Sequence, residues 1–328
     1  MHSLFDELSF SCAALPINTS AAELDTTFTI PTMGSQRRLQ VGMPWFVRHP
    51  KPKWLGKQWP VLCGLLRSAG IPIYGPVEHL ADVPAASLPL RFATRQNASP
   101  FNSLEMKTAD ALEICLRPES DEAAWSWPSE FGQVTDLANF VQTVRVAAGG
   151  NTPIGVSLPV GAANTDLEAC LAAQVDFLTF VADPNLDDEA VLIEGLTRAR
   201  RRIEQADRAL PILLVAHPRD VGQCVKLLAL GASCLSIDSL LESTVDTRPA
   251  QPVSAGGMLS GISLPTPQTE PSLAKTEALL DTLANQLRAC MQRTGAHDLA
   301  AFRANRLRCL TDHLSQLSGL TKLGHHPT

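Results

Sequence analysis

From residue 39 onward, short β-rich apolar runs alternate with helix-length amphipathic segments, and that alternation leaves few folds open. Eight candidate strands follow one another: Leu39–Val47, Ile71–Pro76, Leu88–Gln96, Asp110–Pro118, Thr152–Val160, Val175–Asp183, Leu210–Pro218 and Ala232–Asp238. The later ones are nearly continuous apolar runs, as strands covered on both faces must be. Between them, Trp54–Ala69, Thr135–Ala148, Asn164–Gln174, Asp188–Ala206 and Asp220–Leu230 repeat apolar residues at three and four, which predicts helices. Asn164 and Asp220 are placed to cap two of them, and Gly231 to end the last. Eight strands with intervening helices favour a closed (β/α)8 TIM barrel over an open doubly wound sheet, which the late first strand also allows.

The rest of the chain is arranged around that barrel. Residues 1–38 are expected to be an N-terminal extension packed on it, and 39–243 the barrel itself. Residues 244–271 carry Pro, Ser and a Gly-Gly pair, which marks a long loop. Residues 272–320 then predict a C-terminal helical hairpin, Ser272–Arg293 with His297–Leu317, that completes the same domain, and 321–328 a flexible tail.

An apolar share of 45% supports a sizeable core, and a formal charge of −6 argues against a general nucleic-acid or anionic-membrane binder. The one basic run, Arg198 to Arg202, falls in a predicted helix and reads as a solvated face. No apolar stretch reaches the ~20 residues that span a bilayer, and no export signal is visible, so a cytoplasmic protein is expected. Eight cysteines are scattered without a C-x-x-C pair, as small buried hydrophobes are in a reducing compartment, and no metal site is expected. Trp125 and Trp127, in a polar loop, either anchor a partner or pack on the barrel. The partner is left open as a small ligand, a protein or a second copy of the chain.

Several segments, in order, resemble the FMN-dependent synthase domain of glutamate synthase. They are Phe5 to Phe10, Leu39 to Pro44, Lys107 to Ile114, Thr152 to Val156, Val175 to Thr179, Leu227 to Ala232 and the closing segment through Leu287 to Cys290 and His297 to Leu299. The resemblance implies a lysine where Ser157 stands, and a glycine-rich loop where Val181 to Asp188 brings carboxylates. It also implies phosphate-cradling glycines where the chain reads Ala216, His217, Pro218, Arg219, and Pro218 has no N–H to donate. Three clustered cysteines for an iron–sulfur cluster are implied too, and none lies between Cys234 and Cys290.

Measured against that family, the chain reads as a degenerate barrel without FMN, redox activity or iron–sulfur cluster, serving in regulation, scaffolding or ligand binding. The alternative is an active FMN-dependent oxidoreductase of glutamate or related amino-acid metabolism with altered flavin contacts. A third reading is a different enzyme built at the barrel mouth. There Arg48, His49, Glu113, Ser157, Asp183, His217 and Asp238 would converge, with His217 and Asp238 as an acid/base pair and Glu113 a further catalytic candidate.

Overall fold

The computed structural model describes residues 3–11, 24–35, 38–49, 59–117, 125–183, 188–244, 273–302 and 307–323. Of the expected loop over 244–271 only Thr244, the last residue of a helix, is described; the rest, with the end of the tail, Cys12, Trp54 and residues 184–187, lies outside.

Eight parallel strands form a (β/α)8 barrel, as the alternation predicts. After β1 (Leu8–Phe10), β2 (Phe28–Pro31) and β3 (Arg38–Val41), the barrel strands are β4 (Trp45–Phe46), β5 (Ile73–Tyr74), β6 (Arg91–Gln96), β7 (Ala111–Cys115), β8 (Ile154–Pro159), β9 (Phe177–Val181), β10 (Ile212–Val215) and β11 (Cys234–Ser236). Their order is β4-β11-β10-β9-β8-β7-β6-β5. A parallel bridge from Val47 to Ile73 joins the two ends, with the Tyr74 amide donating to the Val47 carbonyl at 2.8 Å. The open-sheet alternative is thereby set aside.

The helices are α1 (Trp59–Ser68), α2 (Ser103–Thr108), α3 (Val134–Ala147), α4 (Asn164–Ala172), α5 (Glu189–Gln205), α6 (Val221–Leu230) and α7 (Asp238–Thr244), followed by α8 (Leu273–Thr294) and, after β12 (Leu307–Cys309), α9 (Asp312–Ser318). Asp220 caps α6, accepting from the Gln223 amide at 2.8 Å, and Gly231 ends it at φ +130°. Asn164 is not a cap: Ala163 holds that position, and Asp166 accepts its amide at 3.1 Å. The C-terminus is helical, but its second arm pairs as β12 with β1 before α9 begins.

Alternation along each strand sorts the core into two clusters. Ala93, Leu112, Leu178, Leu214 and Leu235 face the helices, whereas Phe92, Ala111, Phe177, Leu213 and Cys234 fill the barrel. Phe46, Tyr74, Phe92 and Phe177 run across the interior in ring-to-ring contact, with centroids 5.5, 5.1 and 6.0 Å apart. Ile30 and Leu39, from the antiparallel β2–β3 hairpin, join the same cluster and plug the bottom.

That aromatic floor depends on Gly155. A Cβ there would overlap the Phe177 ring, which is wholly buried among its neighbours and has no room to retreat. Gly155→Ala is expected to cost about 1–3 kcal/mol of overpacking, read as a lower midpoint in urea unfolding with an unchanged slope.

Candidate functional site

Two residues beyond the aromatic floor, the inward positions become polar: Arg48 after Phe46, Thr94 after Phe92, Glu113 after Ala111, Ser157 after Gly155, Thr179 after Phe177 and Ser236 after Cys234. Because all eight strands are parallel, this ring of polar groups lies toward their C-terminal ends, where barrels of this type place their chemistry.

Glu113 is the centre of the ring and is wholly buried. One carboxylate oxygen meets Arg48 Nη2 at 2.5 Å and accepts from Thr94 Oγ1 at 3.4 Å; the other accepts from Tyr74 at 2.8 Å and from Thr179 Oγ1 at 2.5 Å. The Arg48 guanidinium also lies over the Tyr74 ring, 4.1 Å from its centroid. Burial alone would raise the Glu113 carboxyl, but the charge of Arg48 and the hydrogen bonds from Arg48, Thr179 and Tyr74 overrule it and hold the group below the usual carboxylate range. The Tyr74 phenol is pushed well above its ordinary value, by burial first and by the Glu113 charge second. Glu113 and Arg48 are therefore both charged at neutral pH.

Among the described residues, two polar atoms of this ring have no partner: Arg48 Nη1 and Ser157 Oγ, both buried. Taking a charged pair out of water gives little or no net stability relative to apolar filling, and an unmet donor costs more still. A ring of this composition inside a barrel otherwise packed with Phe, Leu and Cys points to chemistry or binding.

The rim above belongs to the other expected residues. The Asp238 carboxylate accepts the Arg48 amide at 2.9 Å, the His49 amide at 2.9 Å and the Ser236 hydroxyl, so it pins the end of β4 to the end of β11. His49 stands exposed beside it. Crowding by the protein, then the Arg48 charge, lowers its imidazole pKa against the opposite pull of Asp238. His217 is exposed at the end of β10, and among the described residues no hydrogen bond joins it to Asp238. Ala216, His217, Pro218 and Arg219 line a neighbouring cavity of about 370 Å³ with Asp183 and Glu189; the Arg219 guanidinium is 3.7 Å from the Glu189 carboxylate.

The structure thus brings together Arg48, Glu113 and Ser157 and leaves His217 and Asp183 apart from them. Sequence reasoning missed Tyr74, Thr94 and Thr179. Their signal was present: Thr94 is the register partner of Glu113 and Thr179 that of Ser157, while Tyr74 pairs with Phe92, two residues before Thr94 on the same inward parity. Trp125 and Trp127 pack on the barrel shell, their indoles donating to Asp166 at 3.0 Å and to the Phe131 carbonyl.

No protein-family model matches the chain, and a comparison with curated proteins finds no match. Solved structures do match across nearly its whole length. A mandelate oxidase variant with an FMN adduct is 16% identical, covering 93% of this chain and 88% of its own, with a TM-score of 0.57. A flavocytochrome b2 double variant with sulfite bound is 14% identical, covering 99% and 81%, with a TM-score of 0.64. A single variant of flavocytochrome b2, with benzoylformate, is 13% identical at a TM-score of 0.61.

These are FMN-dependent α-hydroxy acid oxidases, not glutamate synthases, and they correct the resemblance drawn from sequence. The expectation of a degenerate barrel without flavin or redox chemistry is corrected with it. It rested on motifs missing by the standard of glutamate synthase alone. Glutamate synthesis and amino-acid metabolism lose their support for the same reason. Among the described residues, no helix is long and apolar enough to cross a membrane.

Proposed function

We propose that this chain is an FMN-dependent oxidoreductase acting on a small organic acid at the C-terminal mouth of its barrel. The observation that carries the reading is the buried Arg48–Glu113 pair with Arg48 Nη1 and Ser157 Oγ unpartnered beside it. The likeness in fold to oxidases whose structures hold FMN adducts supports the choice of cofactor.

The residues present fit the polar edge of a flavin ring: Arg48 Nη1 and Ser157 Oγ are donors without acceptors. For the phosphate the cation at hand is Arg219, and its contacts would differ from those of a glycine loop, since Pro218 has no N–H and Asp220 caps α6. FMN would supply the two-electron acceptor. Glu113 holds the Arg48 guanidinium in one orientation, and the aromatic floor excludes water beneath it. His49, neutral at pH 7 by the direction of its shift, is the residue at the rim suited to take the proton from a substrate hydroxyl. The described cysteines are all free, in keeping with a cytoplasmic place for the protein.

Mixed with FMN and desalted, the protein is expected to retain flavin absorbance, and the Arg48→Met variant to retain little; a wild-type protein that emerges colourless overturns the reading. A second outcome concerns pH. Because the folded imidazole of His49 is depressed, activity should persist below pH 6.5 in the wild type, and His49→Gln should abolish the acid limb of the profile. The same shift has a stability sign: the unfolded state binds the proton more readily, so the contribution of His49 is present above pH 6.5 and is lost as pH falls through the depressed value.

A further inference from the structure

A second cavity opens at the opposite end of the barrel, beneath the first barrel strand. It has a volume of about 460 Å³ and is lined by Trp45, Gly70, Arg67, Asp281, Ala284 and Arg288, among others, so that α1 and α8 form its walls. Two lining residues carry buried N–H groups with no acceptor among the described residues: the Trp45 indole Nε1 and the Arg288 guanidinium Nε. Trp45 is wholly buried. The backbone amides nearby are already spoken for, those of Gly42, Ala69, Gly70 and Ile71 donating to carbonyls within 3.1 Å.

Native interiors rarely leave a buried donor unmet, and two unmet donors on the wall of one cavity are a stronger sign than either alone. Both are N–H donors, and the lining cations, Arg67 and Arg288, outnumber the single lining carboxylate, Asp281. A ligand that suits this wall presents oxygen acceptors and negative charge.

We propose that this cavity is a binding site for an oxyanion-bearing ligand, a carboxylate or a phosphate, separate from the barrel mouth and independent of the flavin reading. The Trp45 indole and Arg288 Nε donate to its oxygens, and Arg67 adds long-range attraction from the rim. The volume leaves room for an organic body behind the anionic group.

The test is a titration of the purified full chain, with and without FMN, against inorganic phosphate in one arm and acetate in the other, followed by thermal shift and tryptophan fluorescence. At least one anion is expected to raise the melting temperature, and the arm that does so names the source of the chemistry. Trp45→Phe removes one donor while keeping an aromatic ring, and Arg288→Met removes the other; each is expected to weaken binding about tenfold, the worth of one hydrogen bond. Arg202→Met, on the exposed face of α5, should leave it unchanged. Trp45→Phe also removes ring volume from a packed site, so the affinity of each variant is read from the anion-dependent shift of its own melting temperature. Equal binding by wild type and both cavity variants, sensitivity to Arg202→Met alone, or no response to either anion would overturn the proposal.

Discussion

Replacing Glu113 by alanine is expected to cost about 3–5 kcal/mol, because it strands a buried guanidinium without its counter-charge. Arg48 cannot shed its proton to escape, since arginine stays charged even when buried. Tyr74 and Thr179 would lose their acceptor at the same time. Glu113→Gln keeps an oxygen for those hydroxyls and should cost less. The double variant Arg48→Met/Glu113→Leu should recover most of the loss, since apolar groups of similar volume need no partner. Chemical denaturation of wild type and the three variants measures these differences. Equal stability of Glu113→Ala and wild type would mean that the pair is not buried as described. The stable double variant is expected not to retain FMN on desalting, which separates what the pair does for the fold from what it does for the site.

An effect of similar size is expected at the other end of the barrel from Asp176→Ala. This carboxylate is 2% exposed and gathers three donors: Arg145 Nη1 at 2.7 Å, the Ile154 amide at 2.8 Å and the Met33 amide at 2.5 Å. It therefore ties α3, β8 and the chain just beyond β2 to one point. Its loss leaves Arg145 buried without an anion, at about 3–5 kcal/mol, and frees the hairpin that plugs the barrel. Hydrogen exchange should report both: lower global protection, and a selective loss at residues 28–41 that Glu113→Ala does not share. Uniform loss in both variants would show that the hairpin is not a separate cooperative unit.

The barrel was legible because its signal is long-range and redundant: eight runs, each buried on both faces, cannot be satisfied by a solvent-exposed sheet. What stayed hidden was local. Leu39–Val47 reads as one strand, yet the chain breaks at Gly42 to Pro44, giving its first half to the hairpin and its second to the barrel. The break follows from close packing, since Gly42 donates to the Gly70 carbonyl and a Cβ at Gly70, whose φ is +66°, would overlap Gly42. Apolar periodicity cannot see such a contact. Helices α2 and α7, six and seven residues long, are too short for a periodic signal, although Asn102 and Glu105 form a capping box that marks the start of the first.

The site was legible in part. Arg48, Glu113 and Ser157 were expected at the mouth because they end strands, but the expected pairing of His217 with Asp238 overlooked the backbone. Asp238 is consumed by two amides of the neighbouring strand and a serine hydroxyl, and a carboxylate so engaged is a fastener of the barrel seam. The cofactor was misjudged for a different reason: motif absence was measured against one flavin barrel family while the fold also matches another.

Crystals of the protein grown with FMN test the central claim most directly. Flavin density is expected at the C-terminal ends of the strands, with the ring edge within hydrogen-bond distance of Arg48 Nη1 and Ser157 Oγ. A mouth left empty at saturating FMN, or flavin bound on another face of the barrel, would contradict it.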